Sequence, residues 1–145
     1  MTYPRGTAFH EAGHAIVGWS FGLEVRAVRV SADDASGGAD IAPHGHLSLA
    51  EQLAIYLAGI EAENLFQAPA HRWVFGSDFD AIQKLLAAHE ITNGQGPALR
   101  ECGRAIARKR LKMYRAKVVA LAERLMECGS VEASEFGSFV GGRTA

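Results

Sequence analysis

Residues 8–19 read Ala-Phe-His-Glu-Ala-Gly-His-Ala-Ile-Val-Gly-Trp and contain the pattern His10-Glu11-x-x-His14. On a helix, His10 and His14 stand one turn apart on the same face. Two imidazoles placed this way can meet one Zn²⁺, whose nitrogen ligands lie at roughly 2.0–2.1 Å in a tetrahedral shell. Glu11 falls about 100° further round the helix. It would border the open position of such an ion rather than bind it. A water on a catalytic zinc has a pKa of about 7, so a carboxylate suffices as its base. Two histidines satisfied by water on a surface helix would carry the same spacing. The neighbours argue otherwise: Ala12 to Val17 is apolar or small apart from His14. The helix is therefore expected to be buried, and buried imidazoles need partners. Ala12 and Gly13 leave room for a close approach, at a helix-propensity cost of about 1 kcal/mol for the glycine.

A catalytic zinc needs a third protein ligand from outside this helix. Spacing alone leaves Asp78, Asp80, Glu61, Glu63, His71, His44, His46 and His89 open. Asp78 and Asp80 also suit the positive end of a helix, which Ser77 can cap. Glu61 and Glu63 lie on an otherwise apolar helix. They form either a solvated face or a carboxylate that orients a ligand histidine through its second ring nitrogen, a role assigned to Glu63.

The elements that must position these groups follow from periodicity and punctuation. A first helix spans about residue 4 to Ser20, with Thr2 or Thr7 as cap, Pro4 early and Gly22 ending it. Glu24 to Ser31, with Val25, Ala27, Val28 and Val30 between Arg26 and Arg29, is a strand. Asp33 to Gly38 reads as a loop, and Ile41-Ala-Pro43 as a short extended return. Such a strand matters because peptidases commonly add an extended substrate to a sheet edge. Ser48-Leu-Ala-Glu51 is a capping box that opens a central helix to about Gln67. An aromatic patch, Trp73 and Phe75, precedes a further helix from Gly76 to about Thr92. A long helix runs from Pro97 to about Glu127, with a break expected near Gly103 and its end at Gly129. Val131 to Val140 reads as a short last helix, and 142–145 as a frayed end. The expected fold is mostly α: about five helices with a small strand pair.

The motifs carry a resemblance. Phe9-His-Glu-Ala-Gly-His-Ala15 closely resembles the active-site helix of the FtsH-type zinc peptidases, usually worded Tyr-His-Glu-Ala-Gly-His-Ala. Leu57-Ala-Gly-Ile-Glu-Ala-Glu-Asn-Leu-Phe66 is similar to that family's Leu-Gly-Gly-Arg-x-Ala-Glu-Glu-Leu-x-Phe. Gly76-Ser-Asp78-Phe79 is similar to, and shorter than, its Gly-Ala-x-Asn-Asp-Leu/Ile. The family carries its third zinc ligand there, so the resemblance implies Asp78. It covers nearly the whole chain, strongly at 8–19, moderately at 57–66 and 76–79, weakly beyond. The family's Gly-Met-Ser segment before the last helical part is absent. FtsH-type proteases also carry a membrane anchor and an ATPase module, whereas no P-loop Gly-x-x-x-x-Gly-Lys-Ser/Thr occurs in this sequence. The expectation is a peptidase that does not unfold substrates with ATP by itself. It would take flexible segments or work beside a separate unfoldase chain.

Composition restrains the rest. With 145 residues, 48% of them hydrophobic, and a formal net charge of −1, the chain fits one domain over 1–145 with no charge-driven partner. No apolar run approaches the roughly 20 residues of a membrane span, and no signal peptide is evident, so a cytoplasmic location is expected. Cys102 and Cys128 lack metal spacing and would lie about 39 Å apart on one helix, so buried free thiols are expected. Eight of the fifteen basic residues lie between Arg100 and Lys117. They read as a solvated helix face, the alternative being phosphate tracking along a nucleic acid. The expected activity is zinc-dependent hydrolysis of peptide bonds in flexible polypeptides. Zinc would sit on His10, His14 and Asp78, with Glu11 as general base. The rival is a protein of the same fold that keeps the metal and binds without cleaving. A homo-oligomer is compatible with either.

Overall fold

The computed structural model describes residues 3–32, 37–70, 76–92 and 94–141. The first helix, α1 (Arg5–Ser20), is buried at every position from Gly6 to Trp19. A helix that is apolar all round has no solvent face to offer, so it becomes the axis on which the others pack. It starts after Pro4 without a side-chain cap, and Thr7 is buried inside it. Thr2 lies outside the described residues. Gly22, at φ +87°, turns the chain out of the helix as expected.

Strand β1 (Val25–Val30) buries Val25, Ala27, Val28 and Val30 and exposes Arg26 and Arg29. Two adjacent buried residues break strict alternation, and the register with the next strand shifts between Val25 and Ala27. That next strand, β2 (Gly37–Ile41), takes in Gly37 and Gly38, which the sequence placed in the loop. The chain before them, residues 33–36, lies outside the described residues. β2 runs antiparallel to β1, and so does a third strand, β3 (Ser130–Glu132), giving the order β2-β1-β3. The expected pair is thus a triplet. The extra strand occupies the start of what periodicity read as the last helix.

Helix α2 (Leu49–Leu65) opens on the expected capping box: Ser48 Oγ accepts from the Glu51 N–H at 3.2 Å, and the Ser48 N–H donates to Glu51 Oε1 at 3.0 Å. It is two-faced. Ala54, Ile55, Ala58 and Ala62 join the main core with α1. Leu53 and Leu57 join a separate cluster with Ile82 and Leu86 of α3 (Gly76–Ala88). Glu61, buried in α2, is neither solvated nor near the histidines. It pairs with Arg108 at 2.6 Å and Arg104 at 3.3 Å, both on α4 (Gly96–Met113). A buried carboxylate requires such partners.

The long helix is two helices, α4 and α5 (Arg115–Cys128), and the described residues hold six helices where about five were expected. The break falls at Tyr114 (φ −110°, ψ 31°) and not at Gly103. Gly103 is helical and serves close packing: a Cβ there would lie 2.9 Å from Leu53 Cβ. Gly129, at φ +79°, ends α5 as expected, and β3 and α6 (Ala133–Val140) follow. Cys102 and Cys128 are exposed, which corrects the expectation of buried thiols: both sit on the solvent side of their helices. Among the described residues, no helix is long and apolar enough to cross a membrane.

Candidate metal centre

α1 delivers His10 and His14 to one spot, α3 delivers Asp78 from its first turn, and α2 floors the site. His10 Nε2, His14 Nε2 and Asp78 Oδ2 form a near-equilateral triangle, each pair 3.0 Å apart. Neighbouring donors in a tetrahedral zinc shell, at bonds of about 2.0–2.1 Å, lie about 3.3 Å apart. The triangle matches one face of such a shell to within a few tenths of an ångström. These three residues form a group that could hold a metal ion.

Hydrogen bonds behind the triangle hold the two rings in place. His14 Nδ1 donates to the Ile55 carbonyl at 2.7 Å. His10 Nδ1 donates to Glu63 Oε2 at 2.6 Å, while Glu63 Oε1 accepts from the Ala70 N–H at 2.8 Å. In their neutral form both rings would carry the proton on Nδ1 and aim the Nε2 lone pair at the Asp78 carboxylate. Three acceptors would then converge, a conflict that protonation of the rings or a bound cation relieves. Two imidazoles and a carboxylate are a donor set that suits a transition-metal ion.

The electrostatics have the same origin. Burial lowers the pKa of His10, but hydrogen bonds to Asp78 and Glu63 outweigh it and raise the value from 6.5 to about 9. His14 is raised in the same way, burial opposing and the Asp78 charge prevailing. Burial would raise Asp78, yet the neighbouring His14 charge and the two histidine hydrogen bonds hold it well below the usual carboxylate range. The carboxylates thus favour positive charge at the two rings.

Glu11 is buried, and burial raises its pKa against the opposing pull of His14 and His10. Among the described residues its carboxylate makes no hydrogen bond. It shares with His14 and Asp78 a cavity of about 300 Å³. Gly37, Gly38, Ala39 and Ile41 of β2 form another wall, and His44, Ile55 and Tyr56 complete it. A Cβ on Gly37 would stand 3.0 Å from Glu11 Cγ, so the strand runs directly against this side chain. β2 is an end strand of the sheet among the described residues, and it is the strand that lines this cavity.

Of the other third-ligand candidates, Asp80, His46 and His89 are exposed, Glu61 serves α4, and His71 lies outside the described residues. Trp73 and Phe75 lie there too, as does the side chain of Ser77. Glu63 holds His10, the role assigned to it. Sequence reasoning missed Gly59. A Cβ there would fall 2.5 Å from His10 Nε2 and 2.6 Å from His14 Nε2, so only glycine leaves room for the two rings. Its signal was a glycine kept inside a helix at a propensity cost of about 1 kcal/mol. Gly13 plays a matching part at the α1–α2 crossing, where a Cβ would lie 2.7 Å from the Ala58 carbonyl oxygen. Compared with known proteins, the chain matches no family model and no curated relative.

Proposed function

We propose that this protein is a zinc metallopeptidase that hydrolyses peptide bonds in flexible or unfolded polypeptides, with a domain of the FtsH-peptidase type. One observation carries the reading: the donors of His10, His14 and Asp78 converge, and the last two open on a cavity that the Glu11 carboxylate also lines. When bound, the ion acidifies a water and polarises a carbonyl. Glu11 takes the proton of the attacking water and passes it to the leaving amine, so the carboxylate ends the cycle as it began. Glu63 fixes the His10 ring, and the Ile55 carbonyl fixes that of His14.

The free edge of β2 offers backbone groups to an extended substrate beside Glu11. A folded protein presents no such segment, so substrates arrive unfolded or from a separate unfoldase. The basic run 100–117 supports this reading over phosphate tracking, because five of its eight cations are engaged internally. Arg104 and Arg108 hold Glu61, Arg110 donates to the Ser20 carbonyl, Arg115 lies over the Phe66 ring, and Lys117 donates to the Val140 carbonyl.

The test is elemental analysis of protein purified without chelator, combined with cleavage of casein and a peptide library. Near-stoichiometric zinc and hydrolysis that a chelator blocks and ATP leaves unchanged are expected. Metal-loaded protein that cleaves nothing would reject the activity.

A further inference from the structure

Hydrolysis at this site has an electrostatic problem. As the carbonyl carbon becomes tetrahedral, its oxygen gains negative charge in a cavity that already holds Glu11 and Asp78, with Glu63 behind His10. Besides an ion, such an oxygen needs a hydrogen-bond donor. The described cavity wall restricts the choice. Glu11, His14 and Asp78 are already assigned, and Gly37, Gly38, Ala39, Ile41 and Ile55 have no polar side chain. Among side chains, His44 and Tyr56 remain, beside the backbone N–H groups of β2.

Their arrangement separates their roles. His44 lies between β2 and α2, and its ring meets that of Tyr56 edge-on, with centroids 5.3 Å apart and planes at 71°. Tyr56 follows Ile55, whose carbonyl anchors His14, so the His44–Tyr56 pair and the His14 ring meet the same turn of α2. His44 Nδ1 is buried and has no hydrogen-bond partner among the described residues. Gln52 is the ring's side-chain hydrogen-bond neighbour, and with Nδ1 buried the nitrogen assigned to the cavity that His44 lines is Nε2.

Resting on the peptidase reading, we propose that His44 is a catalytic residue. Its Nε2–H donates a hydrogen bond to the carbonyl oxygen as that oxygen gains charge, and Tyr56 holds the imidazole in place. No proton is transferred: the carbonyl π electrons move onto oxygen, the water oxygen bonds to carbon, and Glu11 carries the proton. Burial lowers the His44 pKa, so the ring is neutral at pH 7 and donates a single N–H.

The experiment compares wild type with His44→Ala, His44→Asn and Tyr56→Phe in the metal-loaded full chain, on a peptide the wild type cleaves. His44→Ala should lower kcat by about 10²–10³-fold, the usual loss for one such donor, with metal content unchanged and KM little moved. His44→Asn, which keeps an N–H, should recover part of it, and Tyr56→Phe, which keeps the ring contact, should lose little. A phosphinate analogue of the same peptide, a tetrahedral anion, should bind His44→Ala more weakly by a similar factor. The uncleaved peptide should bind Glu11→Gln equally well with or without the His44 change. Wild-type kcat in metal-replete His44→Ala overturns the proposal, as does a loss confined to KM or one reproduced only by Tyr56→Phe. Wild type that loads metal but cleaves no peptide overturns the peptidase reading itself, and the His44 role falls with it.

Discussion

Gly59 lies beneath His10 with no room to spare: a Cβ on the glycine would fall 2.5 Å from the histidine's Cε1 and Nε2. That is closer than any side-chain carbon tolerates, and the other neighbour, His14, is equally close at 2.6 Å. Gly59→Ala should therefore push both rings off the triangle. Overpacking of this kind costs about 1–3 kcal/mol. The decisive effect is on metal content, which should fall sharply while far-UV circular dichroism stays native. Full zinc occupancy in this variant would show that α2 can retreat from α1.

Glu11 has a different signature. Glu11→Gln keeps the shape and removes only the base, so zinc and melting temperature should be retained while kcat drops by about 10²–10⁴-fold. Steady-state kinetics on the metal-loaded variant check this. Cleavage at the wild-type rate would assign the proton to another group.

The two acids of α3 should separate cleanly. Asp78 is 3.0 Å from both histidines, whereas Asp80 is exposed two residues on. Asp78→Ala should abolish activity and weaken zinc binding. Asp80→Ala should retain both and change stability by no more than about 0.5 kcal/mol, as surface substitutions generally do. Zinc analysis of the pair, after dialysis against a weak chelator, decides it.

Stability should depend on pH in opposite senses with and without metal. In the metal-free protein the folded-state pKa of His10 is raised from 6.5 to about 9. A raised value stabilises the folded form fully below the unfolded pKa, and that contribution is lost as pH rises through the folded one. Chelated protein should thus lose stability between pH 6.5 and about 9. Metal requires neutral imidazoles, so loaded protein loses its added stability as pH falls through the ordinary histidine range. Melting curves with and without chelator should diverge as pH rises, and parallel curves would place the ion elsewhere.

How far the sequence reached depended on distance along the chain. His10, Glu11 and His14 were legible because four residues of helix fix their relation. The contact of His14 with Asp78 spans 64 residues, and spacing alone left Asp78 one of several candidates; only the resemblance singled it out. Gly59 and His44 matter through what folds against them, which no local pattern encodes. β2 was obscured because two glycines in a strand look like a turn until β1 pairs with them. Gly103 invited a break that packing against Leu53 forbids, while the real break at Tyr114 has no glycine or proline to mark it.

The two hydrophobic clusters have a consequence for how the protein comes together. His10 and His14 ride on the helix at the centre of the main core, while Ile82 and Leu86, which anchor the helix bearing Asp78, belong to the smaller cluster. An ion bridging the three residues is a rivet through the seam between those units. Capturing the ion and docking α3 are then one event, and the free energy of one is available to the other. Withdrawing the metal should release α3 as a separate opening unit, visible as faster amide exchange along it while α1 stays protected. The protein would thereby sense the ion, closing the three-residue site only when one is bound.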